Sequence, residues 1–485
     1  MLVLLVALGL SVPGLRAQPA RSSLARAEAA MLDEMQKAGI PGAAVAVVVG
    51  DRVMWTQGFG VASTETKAPV TADTLFQIGS VTKSFTAAAL HVAAAQGALV
   101  LDRSVGSYVK GLASCVGAPT LAQLLSHTGG LIDEPDEFGT QGEDGLGAYQ
   151  RTWTSEYCML PPGRVFSYSN SGYSLAGLAL QEVDGKPFAD AMKTRVLAPL
   201  GMTRTTFRPT EAMTWPLAVG HRRNKDGAFE VVRPLANDAR LWPAGTLYSS
   251  ANEMARFLVA LMNDGRVDGT QVLPVGVAQS MRLSRVAVRT TRQLYAQGLF
   301  IERGGRLGHG GTMTGYVAQV AFDREPSMGV VVLTNADGVN PEPLASRLRE
   351  EALRTDAVRD AFAAIQREAA RRGPPPPPTA NGIPRPDVAG TPAIDQESSL
   401  TPGAVAGFVG TYSNPRRFTV QVVSAAGGLI LKRFGRDFPM RALQARGEFL
   451  VDLPNGGTEK IVFGIGPDGR ADYLQMNAWA LARVP

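Results

Sequence analysis

Three short patterns in this chain hold residues that could carry acyl transfer. Ser80 and Lys83 stand three apart at the start of an alanine- and leucine-rich stretch that runs to Gly97. In a helix that spacing puts both side chains on one face. The first-turn N–H groups of a helix have no partner inside it and carry partial positive charge. A hydroxyl nucleophile, an amine to take its proton and donors for an oxyanion would converge there. Tyr168 and Asn170 form the second pattern, two apart in a segment that reads as extended, so they point the same way. The third is His309-Gly310-Gly311-Thr312, just before a strand-like run. Each pattern alone is weak. Ser-x-x-Lys recurs at Ser107–Lys110 with no long apolar helix behind it, and Tyr-x-Asn recurs at Tyr412-Ser413-Asn414.

The elements that must position these residues can be read along the chain. Thr74–Ile78 reads as extended and stops at Gly79, where a helix begins with Phe85, Ala89 and Val92 on one face. Upstream, an amphipathic helix from Leu24 to Lys37 ends at Gly39, and a strand Ala43–Val49 turns at Gly50-Asp51-Arg52 into a strand Val53–Gly60. Residues 86–235 read as helical and loop-rich. They include a short helix from Leu121 stopped by Gly129-Gly130, an acidic, exposed loop Asp133–Gly147, and a helix Ser174–Val183. A helix Ala251–Met262, strands Val317–Phe322 and Met328–Asn335, and a helical stretch Pro343–Arg372 follow. Strands at both ends and helices between them predict an α+β domain over 21–372, its sheet built from both ends around a helical insertion at about 86–235. Five consecutive prolines then open a semi-rigid linker, 373–400. From 401 to 485 six short alternating runs predict a small all-β domain. Its Gly464-x-Gly466-x-x-Gly469 has no βαβ unit around it and reads as a turn.

The 485 residues are 45% hydrophobic and 19% charged, a globular composition. The net charge of +5 comes from scattered Lys and Arg and implies no nucleic-acid partner. The apolar run in residues 1–17 is too short to span a bilayer and reads as the core of an export signal within residues 1–20, giving a periplasmic or secreted protein. No other stretch could make a membrane span. Cys115 and Cys158 could pair in an exported protein or remain two buried thiols. The four histidines are far apart, no His-Glu-x-x-His occurs, and neither a metal nor an organic cofactor is expected. His127 reads as satisfying a helix end and His91 as a packed or surface residue. No Gly-x-Ser-x-Gly elbow occurs, against an α/β-hydrolase.

Taken in order, Ser80-x-x-Lys83, Tyr168-x-Asn170 and His309-Gly310-Gly311 resemble the penicillin-recognising serine hydrolases, nearest the class C β-lactamases and the esterases and peptidases related to them. Leu124–Leu131, Pro162-Gly163-x-x-Phe166-x-Tyr168-Ser169-Asn170 and Pro199-Leu200-Gly201-Met202 resemble that family's framework segments, and the likeness covers about residues 24–340. Val409-Gly410-Thr411-Tyr412 resembles the opening of the lipocalin-like barrel that some members carry. The resemblance implies a β-lactamase-like α+β fold followed by a small β-barrel. It implies Ser80 as nucleophile, Lys83 as base or proton relay, Tyr168 sharing the proton work with phenolate character helped by Lys83, and Asn170 holding substrate. The N–H groups of Ser80 and Thr312 would form the oxyanion hole. His309 takes the place of the family's usual lysine and would make the local charge pH-dependent. Gly310 takes the place of a hydroxyl residue and otherwise reads as a strand position needing backbone room. The expected substrates are small esters, amides, peptides or β-lactams, with the β domain as a cover for the cleft or an assembly surface.

Overall fold

A computed structural model describes residues 24–134, 136–283, 285–302, 304–324, 327–372, 405–425 and 428–484. The expected signal, 1–20, and the linker, 373–400, lie outside them.

Alternation along one strand explains the layering. Gly42–Val49 is buried at every position, and successive side chains point to opposite faces of a sheet. Ala43, Val45, Val47 and Val49 pack with Met31 and Met35 of the helix Ala25–Ala38 and with Leu344 and Leu348 of the helix Glu342–Leu353. Ala44, Ala46 and Val48 face the larger core, which holds the helices Thr82–Ala95 and Ala251–Met262. The sheet is antiparallel with eight strands, in the order Arg52–Gly60, Gly42–Val49, Ser327–Thr334, Tyr316–Arg324, Leu307–Met313, Leu299–Ile301, Gln293–Ala296, Val286–Val288. Val45 lies opposite Val332, so the two ends of the domain are zipped together, with the helical part inserted between them as the sequence predicts.

The helical stretch read over Pro343–Arg372 consists of two helices, Glu342–Leu353 and Asp356–Arg372. Cys115 and Cys158 form a disulfide. It ties the short helix Ser114–Gly117 to the segment that leads to Tyr168.

Residues 410–484 form a closed eight-stranded antiparallel barrel. Two of its strands, Arg436–Ala442 and Trp479–Val484, escape the sequence reading. Pro439 interrupts the first, and a proline argues against a paired strand. The second closes the barrel by pairing with both Ala471–Met476 and Gly410–Asn414, which removes the free edges. Gly464 lies at a register shift in the strand Thr458–Ile465, where an added Cβ would stand 1.9 Å from the Tyr473 ring. The expected turn is the part from Gly466 to Gly469.

Candidate active site

The Ser80 helix begins as a single 3₁₀ turn, Gly79–Val81, and continues as Thr82–Ala95. It is buried all round rather than on one face, because alanine dominates it and small side chains let neighbours approach from every side. Its polar residues are satisfied individually: Ser84 donates to Gly298 O at 2.6 Å, Thr86 to Pro243 O at 2.7 Å, and His91 meets Gln297 at 2.5 Å.

Lys83 is completely buried, and Ser80 is partly exposed. Lys83 Nζ lies 3.0 Å from Ser80 Oγ, 2.7 Å from Asn170 Oδ1 and 2.7 Å from Ala244 O. Burial lowers its pKa to about 7, the nearby Asp133 carboxylate pulls it back up, and Arg417 opposes that pull. Lys83 is therefore poised to exchange a proton near neutrality.

Tyr168 turns its hydroxyl toward Ser80, with its ring centroid 4.8 Å from Lys83 Nζ. Burial raises the phenol above its ordinary range despite the bond to Ser80, so the resting group is the neutral phenol and not the expected phenolate. The extended run stops at Ser169, whose hydroxyl caps the helix Asn170–Asp184 by accepting from Gly172 N–H. Asn170 is thus the first helical residue, four positions earlier than the sequence suggests. It meets Lys83 from a helix N-terminus rather than by strand alternation.

The third pattern is a strand, Leu307–Met313, with Gly310 and Thr312 exposed and His309 and Gly311 buried. Gly311 is the position that needs backbone room, not Gly310. A Cβ at Gly311 would stand 2.0 Å from Ile78 O and 2.8 Å from Ser80 N, and one at Gly79, where φ is +53°, would stand 2.4 Å from Thr312 N. These close approaches bring the Ser80 and Thr312 amides into one small region. An added Cβ at Gly310 would meet the end of the Gln319 side chain at 3.0 Å and Ala318 O at an ordinary 4.0 Å.

His309 bonds through Nδ1 to Gly310 O at 2.6 Å and through Nε2 to Tyr295 Oη at 3.2 Å. Burial first, then the Lys83 charge, lowers its pKa to about 3. The pH-dependent charge expected of it therefore does not develop near neutrality. His127 has φ +57° and accepts from Ser169 N–H at 3.0 Å, and its ring packs 4.2 Å from that of Tyr168. Burial holds it far below its ordinary pKa, so it is a neutral support under the tyrosine. The decoys lie elsewhere: Ser107 Oγ meets Ser104 Oγ at an exposed site, and Tyr412 donates to Phe408 O inside the barrel.

Asp133 was missed. The acidic loop reads as exposed, yet Asp133 has no accessible surface and accepts from Asn170 N–H at 2.6 Å. The signal available was the apolar Leu131-Ile132 pair just before it, both of which are buried.

Comparison with known proteins gives the family of this fold. The β-lactamase family model matches residues 27–354. Penicillin-binding protein 4 of Amycolatopsis lactamdurans is 30% identical over 259 residues, 50% of this chain and 65% of its own length, so the chain spans just under two thirds of that relative. The crystal structure of SurE superposes over 96% of this chain and 99% of its own with TM-score 0.71 at 24% identity, barrel included. The class C β-lactamase from Rhodobacter sphaeroides covers 68% of this chain and 98% of its own, with TM-score 0.54 and 27% identity. With the Ser80–Lys83 pair, the strand beside it and the sheet of the family in place, this chain belongs to the β-lactamase family.

Proposed function

We propose that the protein is a serine hydrolase acting through an acyl-enzyme on small esters, amides or peptides, or β-lactams. The observation that carries the reading is a fully buried Lys83 held 3.0 Å from the Ser80 hydroxyl. Ser80 Oγ attacks the carbonyl carbon while neutral Lys83 accepts its proton. The amides of Ser80 and Thr312 receive the oxyanion, each donor contributing roughly 3–4 kcal/mol. The Tyr168 phenol relays a proton to the leaving group, and the same groups activate the water that releases the acyl chain. Such proton transfer contributes about 10²–10⁴-fold. Asn170 gives its oxygen to Lys83, which leaves its amide N–H₂ for the substrate.

Gly310 offers no hydroxyl, and a neutral His309 no cation, to the carboxylate of a β-lactam. This favours a short-chain ester over a β-lactam. The reading takes residues 1–20 as a signal, 21–372 as the hydrolase unit with 86–235 as its helical part, and 401–485 as the barrel, with assembly through the barrel. A disulfide in the hydrolase unit supports an oxidising compartment such as the periplasm or the exterior. The test is a panel of p-nitrophenyl esters, D-amino-acid amides and nitrocefin, run beside a fluorescent penicillin. Ester turnover that vanishes in Ser80→Ala supports the proposal. A persistent penicillin label with no turnover of any substrate would make the protein a penicillin-binding sensor. Efficient nitrocefin hydrolysis with ester turnover near background would make it a β-lactamase.

A further inference from the structure

The barrel reaches the segment that carries Tyr168 and Asn170 and bonds to it residue by residue. Gln475 Nε2 donates to Phe166 O at 3.0 Å, Ala480 N–H to Ser167 Oγ at 3.1 Å, and Tyr168 N–H to Ala478 O at 2.7 Å. The next contact runs through Asp133. Its Oδ1 accepts from Asn170 N–H at 2.6 Å, while its Oδ2 accepts from Arg417 Nε at 2.9 Å, from a second nitrogen of Arg417, and from Trp479 Nε1 at 3.4 Å. The Arg417 guanidinium lies 5.0 Å from the Trp479 ring centroid. Its neighbour Arg416 reaches Glu134 at 3.0 Å and the Tyr157 hydroxyl at 3.0 Å. One turn of the barrel thus clamps two consecutive carboxylates of the hydrolase domain, and one of these carboxylates holds the helix N-terminus that presents Asn170 to Lys83.

We propose that Arg417 is a positioning residue for acyl transfer, which through Asp133 fixes the Tyr168–Asn170 segment against Lys83 and balances the Asp133 charge. The proposal rests on the acyl-transfer reading above. It makes the barrel part of the active site rather than a cover over it. Asp133 without Arg417 would be a buried carboxylate short of its cation, a costly arrangement. The groups around Lys83 are Ser80 on its own helix, Asn170, the rings of Tyr168 and Tyr173, the neutral His127 and His309, and the opposed charges of Asp133 and Arg417. Removing the Arg417 charge leaves Asp133 to hold the proton on Lys83, so the base becomes available only at higher pH. Removing the Asp133 charge does the reverse.

The test is the pH profile of kcat/KM for p-nitrophenyl butyrate in the full chain. Arg417→Gln is expected to move the acid limb to higher pH, with a loss of roughly tenfold at pH 6 and little at pH 9. Arg417→Lys should restore most of the activity at pH 6. Lys432→Gln, which breaks an exposed ion pair with Asp437 elsewhere on the barrel, should leave the profile unchanged. Should Arg417→Gln fail to fold, Asp133→Asn decides, because its acid limb should move to lower pH. A loss equal at every pH in Arg417→Gln, or an acid limb in Asp133→Asn that stays put or moves up, overturns the proposal. Ester turnover surviving in Ser80→Ala would sink the acyl-transfer reading itself, whatever these profiles show.

Discussion

Lys83 bonds Asn170 at 2.7 Å, closer than the 3.0 Å that separates it from Ser80, although Asn170 lies 87 positions away in the chain. The lysine therefore joins the two halves of the site. It is held by the helical insertion on one side and by its own helix on the other, and the hydroxyl it would activate is partly exposed.

Replacing Ser80 or Lys83 by alanine should abolish turnover while the protein stays folded. Ser107→Ala, at an exposed serine pair, should leave kcat/KM within a few-fold. Tyr412→Phe should cost the barrel about 1 kcal/mol for one buried hydrogen bond and leave turnover in place. Steady-state kinetics beside thermal melts separate these outcomes. An inactive Ser107→Ala with an active Ser80→Ala would reassign the nucleophile.

Activity should rise with pH through an acid limb near 7, because Lys83 must be neutral to accept the serine proton and its pKa is lowered to about 7. Stability carries the same sign. Between about 7 and the unfolded value of 10.5 the unfolded lysine holds a proton that the folded one has lost, so the unfolded state binds more protons and stability rises with pH across that window. Lys83→Met should flatten this contribution. Denaturant titrations at a series of pH values check it, and a Lys83 contribution that falls with pH would contradict the buried neutral amine.

Gly310→Ser should shift the nitrocefin-to-ester ratio of kcat/KM upward by roughly tenfold, since a hydrogen bond to a charged group is worth about 1.5–3 kcal/mol. The substitution is sterically cheap, because the one close neighbour of the added Cβ is the flexible end of the Gln319 side chain. Gly311→Ala should instead inactivate the protein, since its Cβ would collide with Ile78 O. An unchanged ratio in a folded Gly310→Ser would remove the hydroxyl argument.

Reducing the Cys115–Cys158 bond should lower stability by about 2–4 kcal/mol, because it closes a loop across a sequence separation of 43. Denaturant unfolding with and without reductant measures this. Equal midpoints would show that the crosslink constrains nothing in the unfolded chain.

Local pattern carried much of this protein. The Ser80-x-x-Lys83 spacing, the buried run Ala43–Val49 with its return strand, and the glycine that stops the first helix are short-range features, and periodicity with turn chemistry records them. The order of three motifs was enough to suggest the family. Other properties needed the tertiary structure because they are properties of an environment. His309 and Lys83 are titratable by type, and burial is the first cause that keeps one neutral and brings the other close to neutrality. Gly310 and Gly311 are the same residue side by side, and only the approach of Ile78 and Ser80 shows which must stay bare. Asp133 reads as a solvated loop carboxylate until Arg417, 284 positions later, is folded against it. No local signal links residues so far apart, and the contact exists because a closed barrel presents its first hairpin to the start of the Asn170 helix.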